Sequence, residues 1–432
     1  MEFDAEMDIG SNTEFYDWTG GRKPLVVGTN AGSPALAFQN WRKFKEAFVP
    51  ELVERAVGET GEAMGRRVQR CLDPFAGSGT TPLACQFLGV EPVAIEVNPF
   101  LADLVEAKLT VVDTAMVARH CASVLGAGSE VDPKKFYAAG PKTLVEPGVN
   151  ERYLFSEPVA RRLANIAEAI DAIEDAEIGR LLRVLLASAS MEVCNAQVSG
   201  KGRRYRRNWQ SKLSSPADLD RAFLGLVEAA TFDIARHSSR PLLDYQLLRG
   251  DARHEISNVD ELDLAVFSPP YPNSFDYTDV YNVELWIGGY LQSQIANRHL
   301  REATIRSHVQ IKRDFRSSQI DPCVAAVTEK LRSLDDLWNK NIPAMIEAYF
   351  DDLAQILLGI RSKMNPRARV YMVVGDSRYG GIDVPVANIL TEMAARLSFE
   401  VQGVEPFRSM RASPQQGGRQ ELAETLIILE AV

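Results

Sequence analysis

Histidine and cysteine are both scarce in this chain, with five of each among 432 residues. Cys71, Cys85, Cys121, Cys194 and Cys323 are odd in number, scattered and never spaced as C-x-x-C, which excludes a disulfide framework and a zinc ribbon and points to a reducing cytoplasm. His120, His237, His254 and His299 show no metal-ligand spacing, so no metal is expected. Long apolar runs are missing too. No charge-free stretch reaches the ~18–20 residues that span a bilayer, and Glu2, Asp4, Glu6 and Asp8 stand where a signal peptide needs basic residues. The expectation is a cytoplasmic protein with no membrane partner. Basic residues are outnumbered, 48 against 58 acidic, for a net charge of −10, so a polyanion would have to be met by a local basic patch. What is present in quantity is apolar. Hydrophobic residues make up 46% and charged residues 25%, the balance of a globular protein with a sizeable core. The length suits two modules, or one core with a large insertion.

The chain reads as an acidic tail over residues 1–30, laid on the surface or mobile, with no base before Arg22. In WRKFKEAFVPELV, Trp41, Phe44, Phe48 and Leu52 have helical spacing and Pro50 argues for a break, which predicts a short helix and a turn. A strand over 68–73, a glycine-rich turn, a helix over 80–88 capped by Gly89 and a strand over 93–96 open a doubly wound α/β sheet. The pattern then turns helical. Residues 111–243 are predicted to be a helical insertion, and residues 31–110 with 244–432 the α/β core. Strands are expected at 245–248, 264–267, 370–374, 399–404 and 425–429, with helices at 343–364 and 384–397. The fold class is therefore α/β, a mostly parallel doubly wound sheet with an antiparallel edge strand.

Two segments carry chemistry. In Asp73-Pro74-Phe75-Ala76-Gly77-Ser78-Gly79-Thr80-Thr81 the glycines let the backbone approach a ligand, and the next helix offers unpaired N–H groups. No lysine follows Gly79, as a P-loop requires, and Pro82 breaks the G-x-G-x-x-G spacing, so a ligand with little phosphate charge is expected. Glu96, at the end of the second strand, is placed to accept hydrogen bonds from ribose hydroxyls. In Ser268-Pro269-Pro270-Tyr271 two prolines end a strand as a rigid bend, where such sheets hold their ligands, and Tyr271 adds an aromatic face. Alone, either segment could equally be a structural turn.

Together, DPFAGSGTT and the downstream SPPY resemble the S-adenosylmethionine-dependent amino-methyltransferases of DNA, which act on cytosine N4 or adenine N6. SPPYPNSFDYTDVYNVELW and GKGRRYRRNW are similar to bacterial site-specific members. WRKFKEAFVPELV is similar to a segment that in some of these enzymes covers the cofactor methionine. The resemblance spans about residues 41–432. It implies a Rossmann-like methyltransferase core, with Asp73, Phe75, Gly77, Gly79, Thr80, Glu96 and Asp251 binding S-adenosylmethionine, Asp251 through the adenine amino group. It also implies a flipped target base, whose amino group is held by Ser268 and the Pro269 carbonyl while Tyr271 stacks on its ring and Pro270 stiffens the bend. A serine at the first motif position goes mostly with cytosine N4, and aspartate or asparagine with adenine N6. Cytosine C5 chemistry needs a thiolate, and Pro322-Cys323, the one Pro-Cys pair, lies far from the strand ends. Adenine N6, an RNA amino-methyltransferase and a catalytically silent DNA-binding subunit remain alternatives.

DNA is the expected partner. Between Glu192 and Asp218 there is no acid, yet Lys201, Arg203, Arg204, Arg206, Arg207 and Lys212 cluster with Tyr205 and Trp209, a pattern suited to phosphates and an unstacked base. A second candidate runs from Arg301 to Arg316 and includes Arg306, Lys312 and Arg313. The resemblance leaves open a cognate restriction endonuclease or defence-system protein as a further partner, and a place on the nucleoid.

Overall fold

The computed structural model describes residues 13–432 except 25, 27–29, 31, 45–46, 129–130, 200–201 and 412–420. Its strands are β1 (Arg70–Asp73), β2 (Glu91–Glu96), β3 (Ala196–Ser199), β4 (Gly202–Tyr205), β5 (Gln246–Arg249), β6 (Leu262–Phe267), β7 (Met364–Gly375), β8 (Ser377–Tyr379), β9 (Ile382–Val384), β10 (Phe399–Arg411) and β11 (Glu421–Ala431). Seven form one sheet in the order β10-β11-β7-β6-β1-β2-β5. Its neighbours pair in parallel except β11, which runs antiparallel to both β7 and β10. The sheet is thus Rossmann-like and mixed, with its antiparallel strand one place in from the edge. Sequence explains the order. The stretch TLIILEA of β11 is almost wholly buried, whereas EVQGVEP of β10 alternates with exposed positions and takes the outer place.

Helices cover both faces. Along β6, Leu264 and Val266 pack to one side with the helices that follow β2, while Ala265 and Phe267 pack to the other against the helix Ile342–Lys363. Both faces being buried accounts for the unbroken apolar run LAVF. Between β2 and β5 the chain forms the helices Thr114–Gly126, Glu157–Asp171, Ala176–Val193 and Pro216–Arg236, together with the β3–β4 hairpin. Ser215 starts the last of these through a capping box with Asp218.

The N-terminal expectations need correction. Residues 13–19 are a helix whose Phe15 and Trp18 are buried, Trp18 stacking on Phe87 at 4.5 Å, so this part of the acidic tail is docked. Residues 1–12 lie outside the described residues. The described part of 41–49 is not helical: the helix starts after Pro50, at Glu51–Met64, because proline is tolerated at a helix start and not in its interior. Trp41, Phe48 and Leu52 are nonetheless buried. Their spacing reported burial of an irregular strap. Among the described residues no helix is long and apolar enough to cross a membrane.

Candidate active site

β1 and β6 are adjacent, and the chain leaves their carboxyl ends toward opposite halves of the sheet, which opens a crevice beyond them. A cavity of about 370 Å3 lies there, and the turn after β1 and the bend after β6 both line it. Gly77 and Gly79 have φ of 52° and 82°, the left-handed region that glycine enters without strain. The Gly77 N–H donates to Glu96 Oε2 at 2.7 Å and the Asn98 N–H to Glu96 Oε1 at 2.8 Å, so the carboxylate is aimed by two backbone donors. Asp73 Oδ1 accepts the Phe75 N–H at 2.9 Å and pins the other end of the turn. Burial pushes both Asp73 and Glu96 up to about 7, against the pull of those N–H groups. Phe75 and Thr80 are also in the wall. Gly79 is behind it, where a Cβ would stand 3.1 Å from Val105, so it shapes the turn from outside the cavity.

Asp251 follows β5 and lines the same cavity. Its carboxylate caps the short helix Ala252–Glu255 and is gripped by Arg253, whose Nε lies 2.9 and 3.0 Å from its two oxygens. Arg253 reaches on to Asp352 at 2.9 Å, so Asp251 is held rigidly at the rim.

Ser268, Pro269, Pro270 and Tyr271 line the other side. Ser268 Oγ donates to the Val373 carbonyl on β7 at 3.0 Å. The Tyr271 hydroxyl donates to Glu424 Oε1 on β11 at 2.7 Å, and burial holds its phenol well above the usual range, so it keeps its proton. Glu424 is a buried member of the wall that sequence reasoning missed, one of three glutamates on β11 and the one that directly precedes its apolar stretch TLIIL. His308, which belongs to the Arg301 to Arg316 candidate for DNA contact, lines the cavity instead: burial lowers it to about 4 and leaves it neutral. Lys108, also missed, stands outside the wall. Its buried ammonium donates to the Ser78 carbonyl of the glycine turn at 2.6 Å, and burial lowers it to about 7.

The basic candidates divide. Arg203 pairs with Asp279 at 3.2 Å, on the helix Tyr277–Val280 whose Tyr277 and Thr278 line the cavity, so the β3–β4 hairpin docks at the cavity mouth. Arg204, Arg207, Lys212 and Lys312 are exposed, and Tyr205 is half-buried beneath Arg152. Trp209 is corrected: it is buried against Tyr153 and Tyr205, with centroids 5.1 and 5.3 Å away, and offers no face to a base. Arg206 turns inward to the Met191 carbonyl at 2.7 Å. Arg306 is paired with buried Asp351 and Asp352, and Arg313 is spent on the carbonyls of Glu302 and Ile305, so neither is available to phosphates. Lys201 lies outside the described residues. Cys323 sits away from the cavity, its thiol raised by a hydrogen bond to Glu392.

No family model matches the chain. It is 24% identical to the type II methyltransferase M.BsoBI of Geobacillus stearothermophilus, over 91% of this chain and 86% of that protein. It is 23% identical to the type II methyltransferase M.AvaI of Nostoc, over 94% of this chain and 88% of the relative. The chain is similar to type II methyltransferases over most of its length. Among solved structures, TrmN from Thermus thermophilus aligns over 89% of this chain and 49% of its own, with a TM-score of 0.28 and 11% identity. S-adenosylmethionine is the cofactor that the methyltransferase relationship indicates, and the cavity suits it. Among its described lining residues are Asp73, Glu96, Asp251 and Glu424 but no lysine or arginine, an arrangement that accommodates a cationic sulfonium and ribose hydroxyls better than a phosphate.

Proposed function

We propose that this protein is an S-adenosylmethionine-dependent DNA methyltransferase that modifies the exocyclic N4 amino group of cytosine. One observation carries the reading: the Ser268–Tyr271 bend and the Gly77–Glu96 turn share one acid-lined cavity at the carboxyl ends of adjacent strands. When bound, S-adenosylmethionine supplies an electrophilic methyl group. Glu96 would hold the ribose, the glycine turn would admit the backbone close to it, and Asp251 would meet the adenine amino group. Phe44 stacks on Tyr281 at 5.5 Å, and both belong to the wall, so the strap before Pro50 helps to exclude water.

The target base must leave the duplex, because its amino group is otherwise buried in pairing and stacking. Ser268, its hydrogen given to Val373, keeps lone pairs to accept an amino hydrogen, as does the Pro269 carbonyl. Accepting those hydrogens raises electron density on the nitrogen, and the two prolines fix the acceptors in place. Tyr271 would stack on the ring. The serine at the first motif position favours cytosine N4. Exposed Arg204 and Arg207, on the hairpin at the cavity mouth, would hold phosphates.

The test is incubation with labelled cofactor and mixed-sequence duplex DNA, followed by nucleoside analysis. N4-methylcytosine is expected; N6-methyladenine would move the assignment to adenine, and no methylated base would overturn it. Ser268→Ala should lower single-turnover rates by ~100-fold or more while leaving cofactor affinity unchanged. Retained turnover would remove Ser268 from its role.

A further inference from the structure

The cavity wall contains a run of hydroxyls that ends on a carboxylate, Glu424, to which the methyl-transfer reading gives no role. The single Ser268 hydroxyl hydrogen has two acceptors within reach, the Val373 carbonyl at 3.0 Å and the Tyr271 oxygen at 3.5 Å. Tyr271 in turn donates to Glu424 at 2.7 Å. Glu424 comes from β11, the last strand, and its register partners are Gly375 on β7 and Arg408 on β10. Among the described residues, other titratable groups stand on the elements packed around it. Tyr277 lies near Tyr271, and Asp376 follows β7, its N–H bonded to the Ala423 carbonyl.

We propose that Glu424 is the terminal proton acceptor of the reaction, reached from the amino nitrogen through the hydroxyls of Ser268 and Tyr271. The inference rests on the amino-methyltransferase reading above. When the nitrogen lone pair forms its bond to the methyl carbon, the carbon–sulfur electron pair returns to sulfur and the nitrogen becomes cationic. It then releases one N–H proton to Ser268 Oγ. The Ser268 hydrogen moves to the Tyr271 oxygen, and the Tyr271 hydrogen to Glu424 Oε1, which ends as a neutral carboxylic acid. Charge balances, because a cation and a carboxylate are both neutralised. The long step, Ser268 to Tyr271, is of a kind that tightens when substrate docks. The strong hold of burial on the Tyr271 proton fits a group that passes a proton on only as it receives another.

A purely structural role for Glu424, holding the tyrosine ring, predicts something different. Glu424→Gln keeps an acceptor for the Tyr271 hydroxyl but cannot take the proton. Single-turnover methylation should be measured with saturating cofactor and a duplex that the wild-type protein modifies. The Glu424→Gln rate is expected to be lower by ~100-fold, and Glu424→Asp, which can still take the proton, should recover about tenfold of that loss. Tyr271→Phe, which keeps the stacking ring, should fall by a similar factor, and the double variant should be no worse than either. If Glu424→Gln does not fold or bind cofactor, Tyr271→Phe carries the test alone. A Glu424→Gln or Tyr271→Phe rate within twofold of wild type would overturn the relay. Failure of the wild-type protein to methylate any duplex would instead overturn the reading on which the relay stands.

Discussion

At the scale of single residues, the site depends on carboxyl groups held where they ionise reluctantly. Glu96 is buried and its acidity is pushed up to about 7, chiefly by desolvation, even though Gly77 and Asn98 donate to it. A carboxyl raised in the folded state binds more protons there than when unfolded, so the cofactor-free protein should lose stability as pH rises from the ordinary carboxylate range toward 7. Cofactor binding should run the other way. The ionised carboxylate is the better acceptor for ribose hydroxyls, so calorimetry should find affinity strengthening between pH 6 and 8. Asp73 titrates in the same range and adjoins the same turn, which makes the control necessary. Glu96→Gln should weaken binding by about tenfold, the loss of one charge-assisted hydrogen bond, and should flatten most of the pH dependence. An unchanged slope in that variant would assign the titration to Asp73.

At the scale of elements, the strap between the N-terminal helix and Pro50 is fastened by one side chain. Asp233 Oδ2, on the helix Pro216–Arg236, accepts both the Phe38 N–H at 2.7 Å and the Trp41 Nε1–H at 2.9 Å. Arg42 adds an ion pair to buried Glu284. Asp233→Ala leaves two buried donors without an acceptor and should cost ~2–4 kcal/mol, read as a lower urea midpoint. Because Phe44 and Phe48 of this strap line the cavity, cofactor affinity should fall with it. Unchanged stability would show that the Asp233 hydrogen bonds do not hold the strap. Nothing in the sequence joins Asp233 to Phe38, which stands 195 positions away. The regular elements were legible because each declared itself locally: the helix Thr80–Leu88 ends at a left-handed Gly89, and β6 is an apolar run stopped by two prolines. The strap was misread as helix because Trp41, Phe44 and Phe48 satisfy a helical period that tertiary burial alone produced. The place of β11 inside β10 was not legible either, since it depends on which of two paired strands is the more apolar.

At the scale of the whole molecule, the shortage of basic residues becomes a statement about how DNA can be held. Sequence proximity marked the acid-free stretch as a patch, but ion pairing is a property of space: Arg306 and Arg313 are consumed by buried acids and carbonyls, and Trp209 and Arg206 face inward. Arg204, Arg207, Lys212 and Lys312 remain exposed, on a chain of net charge −10. Each phosphate neutralised contributes about −0.9 to the slope of log affinity against log salt, so four contacts predict a slope of about −3 to −4. Fluorescence anisotropy of a labelled duplex between 50 and 300 mM salt measures it. Replacing Arg204 and Arg207 together by glutamine should make the slope shallower by about 2 while leaving cofactor affinity unchanged, because neither residue lines the cavity. A slope unaffected by that pair would mean that DNA approaches the cavity from a side other than the β3–β4 hairpin. The salt bridge between Arg203 and Asp279 predicts the opposite, since it fixes that hairpin to the helix beside Tyr277 at the cavity mouth.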